Sequence, residues 1–553
     1  MKRLRGMEGE AKTALLLAVN TYPMIAKAWV DLGDVLYDEG DEDLEECMMA
    51  YMMGLALRPS RASKLVPRLL LLAKRGCTSL AAKCKDSQPS AVWIGWVPLL
   101  IRSLADEGGM KDTAIALLSK ISLSFPQSVY WFLQMAGTND VVCEMVNDVK
   151  LKPLIDEVEK LRNFLLTIGE RSSILTDAEA CLDDLRYKRA TVAEVRQRLG
   201  KGVDASEAGL TKLIKSERCR LSAMADSTVQ MKVNGIEIPG NYTRYLSVPS
   251  GSSMESISFV RIAHVEAGIG SKVVFVGSNG LRYTYVIEKR PSFDGIGMQT
   301  SALVNELLQK TSETKRRNLK INCLQSIPLG NGMVLREAPE QVVSFDQIVG
   351  DVEESVLQFK NRVDSISARN AERVAFDSTE FSDEFLIQFI DAQGPKELYN
   401  VARQFTNSIG TVGMVDHVVG FSATDRPISE TFLSGNGSLF VVDASACRPA
   451  KHSHIDTHFR LTRNPIALMG DRNLVGVLPA VMRAVVDCLD TKRSGLFDFL
   501  EFIDADVGKC QERIEDITEA DGYLFYKIEK LINESRDPKN LAAVQPKQWL
   551  PWM

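Results

Sequence analysis

Apolar residues recur at helical spacing through much of the first third of the chain, and small residues stand where paired helices would touch. Trp29, Gly33, Gly54 and Pro59 are placed much as in a tetratricopeptide unit. The small residues let two helices approach, the tryptophan is expected to fill the wedge between them, and the proline ends the second helix. This pattern predicts helical units that stack, because none buries its own apolar face.

A further helical unit is predicted around Trp93 and Trp96, which we expect to lie in the core between helices. A charged sequence with helical apolar spacing follows over residues 150–225 and predicts a long helical pair. We therefore assign residues 1–190 to the stacked repeats and residues 191–226 to a helical connector.

The pattern changes to short β-rich runs near residue 227. These runs are rich in β-branched and aromatic residues and lie at 236–240, 259–263, 272–277 and 283–287. The segment from Gly277 to Gly280 supplies the turn chemistry of a hairpin between the last two runs. Helices dominate again after residue 300. The predicted fold is therefore mostly α with a small β lobe, and its last three segments are a small lobe (227–340), a large helical lobe (341–520) and a C-terminal segment (521–553).

Composition is that of a soluble globular protein, with 45% hydrophobic and 25% charged residues and a net charge of −6. This mild charge does not favour nucleic-acid binding, and we interpret the basic cluster Lys315–Arg317 as a solvated helix end. No run approaches the 18 apolar residues that a membrane span needs. The ten cysteines form no Cys-x-x-Cys pair, which favours free thiols in a reducing compartment. His452, His454 and His458 are expected to be loop residues rather than metal ligands.

The end of the chain is unusually apolar. Two of the six tryptophans are Trp549 and Trp552, next to Leu550 and the terminal Met553. Apolar surface of this size is unfavourable in water, so we predict that these four residues dock on the large lobe near residues 420–470. The segment resembles the FATC segment of phosphatidylinositol-3-kinase-related kinases, and most of all the version found in the TRRAP family.

Other segments carry the same resemblance in the same order. Residues around Trp29, Trp93 and Pro126 resemble the end of the FAT domain of TRRAP-type proteins. Residues 313–337 are similar to the basic helix end and hinge strand of that family. The resemblance implies a helical-repeat FAT region, a bilobal PI3/PI4-kinase-like fold and a C-terminal FATC helix.

Active relatives place a phosphate-binding lysine on the second strand of a strand–turn–strand unit, and the matching position here is Glu288. An acidic side chain there is expected to repel phosphates. Lys289 is the next residue, and neighbours on a strand point to opposite faces. If ATP binds, Lys289 takes part only through a bulge.

Active relatives also carry Asp-Arg-His-x-x-Asn and, further on, Asp-Phe-Gly, which position the substrate and hold Mg²⁺. This chain keeps Asp425 and Asp443, but has Pro427 in place of the histidine and Glu430 in place of the asparagine. If Mg²⁺ binds, Glu430 and Asp443 are its expected ligands. By this resemblance the site is degenerate, and neither a catalytic residue nor a cofactor is expected.

The resemblance implies a catalytically inactive pseudokinase in the nucleus, acting as a scaffold subunit of SAGA- and NuA4-type histone acetyltransferase coactivator complexes in transcription and chromatin-linked repair. Its expected partners are the subunits of those complexes. The helical solenoid of TRRAP-type proteins is not part of this sequence, so the chain is expected to be either a reduced or split relative, with a separate solenoid chain as a further partner, or a fragment of a longer reading frame. Activator binding through that solenoid is uncertain. One alternative is an active Ser/Thr kinase of the same superfamily that uses Mg-ATP. Another is a helical-repeat adaptor with no chromatin role.

Overall fold

A computed structural model describes most of the chain. The described residues are 8–39, 44–77, 80, 90–105, 109–135, 151–200, 202–228, 235–240, 259–266, 271–290, 293, 295–349, 385–394, 397–420, 431–442, 459–490, 495–518 and 524–537.

Helices make up most of the described residues. They are α1 (Glu8–Thr21), α2 (Ala26–Glu39), α3 (Leu44–Leu57), α4 (Ala62–Lys74), α5 (Val97–Arg102), α6 (Gly109–Ser124), α7 (Pro126–Leu133), α8 (Lys152–Arg186), α9 (Val192–Leu199), α10 (Glu207–Thr228), α11 (Ile296–Lys310), α12 (Ser312–Arg316), α13 (Phe345–Val349), α14 (Phe385–Ala392), α15 (Leu398–Val419), α16 (Arg463–Arg472), α17 (Leu478–Leu489), α18 (Gly495–Phe502), α19 (Val507–Thr518) and α20 (Leu524–Arg536).

The strands form two small sheets. They are β1 (Phe259–Glu266), β2 (Lys272–Gly277), β3 (Arg282–Lys289), β4 (Asn322–Leu324), β5 (Ser326–Gly330), β6 (Met333–Glu337), β7 (Val342–Ser344), β8 (Thr431–Ser434) and β9 (Leu439–Val442). One sheet has the strand order β1-β2-β3-β6-β5 and the other the order β4-β9-β8-β7. The predicted fold class, mostly α with a small β lobe, is confirmed.

The chain divides into two compact units. The first comprises Met1–Ser60, Gly76–Asp294 and Gln325–Pro339, and the second comprises Arg61–Arg75, Gly295–Leu324 and Glu340–Met553. This grouping differs from the five consecutive segments inferred from the sequence, whose boundaries remain a prediction.

In the first unit, helices α2 and α3 pack closely because glycines lie at their contact. A Cβ atom on Gly33 would lie 2.6 Å from the ring of Tyr51. The Tyr51 hydroxyl donates a hydrogen bond of 3.0 Å to Asp34 within the buried contact. The prediction that small residues allow this approach is confirmed, but the aromatic residue in the contact is Tyr51.

The expectation that Trp29 fills the wedge is wrong. Trp29 is half-buried, and its indole N–H donates to the carbonyl oxygen of Pro23 at 2.7 Å. The side chain therefore ties α2 to the turn that precedes it. Trp93 and Trp96 are fully buried, and their predicted place in the core is confirmed.

A single apolar core joins the long helices of the first unit to one face of its sheet. Helices α8 and α10 contribute Leu161, Leu165 and Leu210, and the sheet contributes Phe275 and Ile287, all of them fully or almost fully buried. Arg162 of α8 also donates from Nε to the carbonyl oxygen of Leu329 on β5 at 2.7 Å. The helices thus fix the position of the sheet.

The second unit surrounds helix α15, which packs against α16, α17 and α19. Its sheet pairs β4 with β9 in parallel and β7 with β8 antiparallel. Helix α4 packs on α18, and an ion pair of 2.6 Å joins Arg68 to Asp498 inside this contact. None of the described helices is long and apolar enough to cross a membrane.

Candidate functional site

The five-stranded sheet of the first unit has two chemically different faces. The pairings of β3 with β2 and β6 are antiparallel and regular, so directly paired residues lie on the same face. Tyr285, Ile287 and Leu335 lie on the face that packs into the apolar core with α8 and α10. Side chains on this face are buried against the helices, so candidate functional side chains of the sheet are sought on the other face.

The opposite face carries most of the sheet's charged side chains. Residues Val286 and Glu288 of β3 lie on it, and Val286 pairs with Lys272 of β2 and with Arg336 of β6. We call the set Lys272, Arg282, Glu288, Arg290 and Arg336 the charged face. Four of these five side chains are basic, so the charged face is positive overall.

Glu288 is held by two arginines. Arg336 donates from Nε to Oε1 of Glu288 at 2.7 Å, and its Nη2 donates to the same oxygen. Nε of Arg290 lies 3.5 Å from the other carboxylate oxygen, Oε2. The exposed fractions of the side chains are 26% for Glu288, 7% for Arg336 and 12% for Arg290. Glu288 is thus paired with two positive groups, and the expectation that it repels phosphates stays a prediction.

Backbone contacts fix both arginines in place. Nη1 of Arg336 donates to the carbonyl oxygen of Glu337 at 3.1 Å. The backbone N–H of Arg290 donates to the carbonyl oxygen of Gly332 at 2.6 Å. The guanidinium groups are thus positioned by the sheet itself and by the turn between β5 and β6.

Lys289 lies on the other side of the sheet from Glu288. The β3–β6 register runs without a bulge from Tyr285 to Lys289, where Lys289 pairs with Met333. Its side chain is exposed. The structure therefore does not bring Lys289 to the charged face beside Glu288.

The remaining candidate residues lie outside the described part of the chain. These are Asp425, Pro427, Glu430 and Asp443, the three histidines at 452–458, and the terminal residues Trp549, Leu550, Trp552 and Met553. Among the residues that are described, no cluster of His, Cys, Asp and Glu side chains is arranged to hold a metal ion.

Thr462 stands at the N-terminal cap of α16, but its side chain makes no capping hydrogen bond. In the described residues its hydroxyl is buried without a hydrogen-bond partner, and the same is true of both amide atoms of Asn464.

Sequence reasoning missed the part that Arg290 and Arg336 play. Arg336 was recognised only as part of a hinge strand that resembles a family pattern. The spacing of Glu288 and Arg290, two residues apart on one strand, was the available signal, because such residues share a face. The partnership with Arg336 depends on the β3–β6 register, which the sequence does not reveal.

Comparisons with known proteins find partial matches to plant kinases. Serine/threonine-protein kinase ATR of Oryza sativa subsp. japonica is 25% identical over 252 residues, which are 42% of this chain and 9% of that protein. The same kinase of Arabidopsis thaliana is 25% identical over 283 residues, which are 46% of this chain and 10% of that protein. The chain therefore spans about a tenth of the length of these curated relatives. No protein-family model matches it.

Solved structures match the whole chain. The match to the FAT and kinase domain of CtTel1 has a TM-score of 0.54 at 16% identity. It covers 100% of this chain and 41% of the CtTel1 chain. The match to the complete CtTel1 dimer with C2 symmetry has the same TM-score and identity, and it covers 22% of that CtTel1 chain. At this identity the match shows the fold, which is that of a FAT and kinase region. These comparisons support membership of the phosphatidylinositol-3-kinase-related kinase superfamily.

The sequence resemblance predicts that Glu288 stands where active members carry the phosphate-binding lysine. The relatives named here are kinases, whereas residue 288 of this chain is a carboxylate paired with two arginines. If the predicted correspondence holds, this carboxylate does not fit the phosphate end of a bound Mg-ATP in the manner of an active kinase.

Proposed function

We propose that this chain is a catalytically inactive member of the superfamily. The observation that carries the proposal is the ion-paired Glu288 at the lysine position. Phosphoryl transfer depends on positioning and neutralising phosphate charge, and here the charge of Arg336 is directed at a carboxylate of the chain itself. The same carboxylate stands where a nucleotide phosphate would need a cation.

We further propose that it acts as a nuclear scaffold subunit in histone acetyltransferase coactivator complexes of the SAGA and NuA4 types. The support is the TRRAP-type pattern of residues 313–337 and of the C-terminal residues. In this role the helical repeats and the kinase-like fold offer surface to partner subunits, and the chain contributes to transcription regulation and chromatin-linked repair.

Affinity purification of the tagged full chain from nuclear extract, followed by mass spectrometry, tests the scaffold role. We expect acetyltransferase-complex subunits at stoichiometric yield, retained after nuclease treatment, and absent from a tag-only control. Recovery of the chain without any such subunit would contradict the scaffold role and favour a helical-repeat adaptor.

An active Ser/Thr kinase is the second candidate, favoured by the relatedness to ATR kinases. It requires Mg-ATP to bind and be consumed despite the carboxylate at position 288. Label transfer from ATP separates the two candidates, since a scaffold without activity gives none.

A further inference from the structure

Arg290 and Arg336 are arranged as in an anion-binding site, and the carboxylate of Glu288 takes the place of the bound anion. One carboxylate oxygen of Glu288 accepts two hydrogen bonds from Arg336, and the other faces Arg290. Guanidinium groups bind phosphate with the same geometry as they bind carboxylate. A phosphate oxygen can therefore make the contacts that Glu288 now makes.

Burial makes an anion necessary at this position. Arg336 and Arg290 are both almost withdrawn from water, and a buried cation without a partner is strongly unfavourable. Glu288 supplies one negative charge that both guanidinium groups contact.

The surroundings favour a negative ligand and leave a path to it. Lys272 and Arg282 add two basic residues to the same face of the sheet, and a surface with an excess of positive charge raises the local concentration of anions. Glu288 is about one-quarter exposed. A small anion can therefore reach the position that the carboxylate occupies.

We propose that Arg290 and Arg336 form a phosphate-binding site that the chain's own Glu288 occupies. The carboxylate acts as a resident anion and excludes phosphate from the intact protein. This inference rests on the proposed lack of kinase activity, and it identifies the group that keeps phosphate out. The ligand class is a phosphate group, either as inorganic phosphate or on a nucleotide.

Substitution of Glu288 by Gln removes the charge and keeps the shape of the side chain. We expect the melting temperature of Glu288→Gln to rise by roughly 2 °C or more in millimolar phosphate compared with chloride at equal ionic strength. The intact protein should show no difference between the two salts. A parallel arm with Mg-ATP distinguishes a site open only to the free anion from one that also accepts a nucleotide phosphate.

Two further variants separate a specific site from a general charge effect. Glu337→Gln removes a carboxylate from the same sheet, but Glu337 pairs with Tyr285 and so lies on the core side; we expect no response to phosphate. The double variant Glu288→Gln, Arg336→Gln should lose the response of the single variant, because the principal donor is gone.

The outcomes decide the proposal. A phosphate response of the intact protein would show that Glu288 does not exclude the anion and would overturn it. A folded Glu288→Gln protein without a phosphate response would overturn it as well. If this variant is unfolded in chloride, we expect phosphate to restore folding, and failure to do so counts against the site. Label transfer from ATP by the intact protein would instead contradict the proposed function.

Discussion

Arg336 of β6 donates two hydrogen bonds to a single carboxylate oxygen of Glu288 on β3. The two residues are diagonal neighbours on one face of the sheet, since Arg336 pairs directly with Val286 and Glu288 with Val334. Arg336 is almost completely buried. The pair therefore contributes to folding while it holds a negative charge at the position that the sequence resemblance predicts for the lysine of active relatives.

Restoring a lysine at position 288 is expected to damage the protein rather than revive a kinase site. Glu288→Lys places a third positive charge beside Arg336 and Arg290, so that an attraction at two almost buried guanidinium groups becomes a repulsion. We expect the free energy of unfolding to fall by roughly 3 kcal/mol. Urea denaturation curves of the intact protein and of the variant measure this loss of stability.

A charge exchange provides the matched control. Glu288→Lys combined with Arg336→Glu restores an ion pair in the opposite sense, and we expect the double variant to recover a substantial part of the lost stability. Simple addition of the two single effects in this double-mutant cycle would show that the residues do not interact.

The contact of α4 with α18 contains one buried and one exposed ion pair. Arg68 and Asp498 are almost fully buried and lie 2.6 Å apart, whereas Arg75 and Glu501 are both exposed at 2.8 Å. We expect Arg68→Ala to cost about 3–5 kcal/mol, because it removes one member of a buried ion pair. Arg75→Ala should cost less than about 1 kcal/mol. Equal losses in the two variants would contradict this account of the contact.

The tryptophans of the helical repeats should differ in their importance for stability. Trp96 is fully buried, so Trp96→Ala is expected to cost about 3–5 kcal/mol. Trp29 is half-buried and makes one hydrogen bond to a turn, so Trp29→Phe should cost about 1 kcal/mol. Melting curves of the two variants test the difference. A larger loss of stability for Trp29→Phe than for Trp96→Ala would contradict the conclusion that Trp96 lies in the core and Trp29 at its edge.

The buried thiols should be unreactive at neutral pH. Burial raises the pKa of the thiols of Cys181, Cys488 and Cys510 above the ordinary value. A raised pKa keeps the thiol protonated, and the thiolate is the reactive form. Among the described cysteines Cys219 is exposed. Brief alkylation of the native protein followed by peptide mapping should label Cys219 before Cys181, Cys488 and Cys510, which we expect to react only on unfolding.

Local patterns predicted much of the fold, and contacts distant in sequence accounted for what was missed. The β2–β3 hairpin follows from its turn residues, and the burial of Trp93 follows from helical spacing. Trp29 was misplaced because a hydrogen bond to Pro23 competes with burial between helices. The partner of Glu288 lies 48 residues away, and that of Arg68 lies 430 residues away. Pairings of this kind depend on strand register and helix docking, which no single segment encodes.

We propose that this kinase-like fold does not transfer phosphate. The most direct measurement is incorporation of label from γ-labelled ATP into the purified chain and into a generic protein substrate, in the presence of Mg²⁺. The matched control is Asp443→Ala, which removes the carboxylate retained from the metal-binding motif. We predict that the intact chain incorporates no more label than this variant. Incorporation by the intact chain that disappears in Asp443→Ala would contradict the claim and identify the protein as an active kinase.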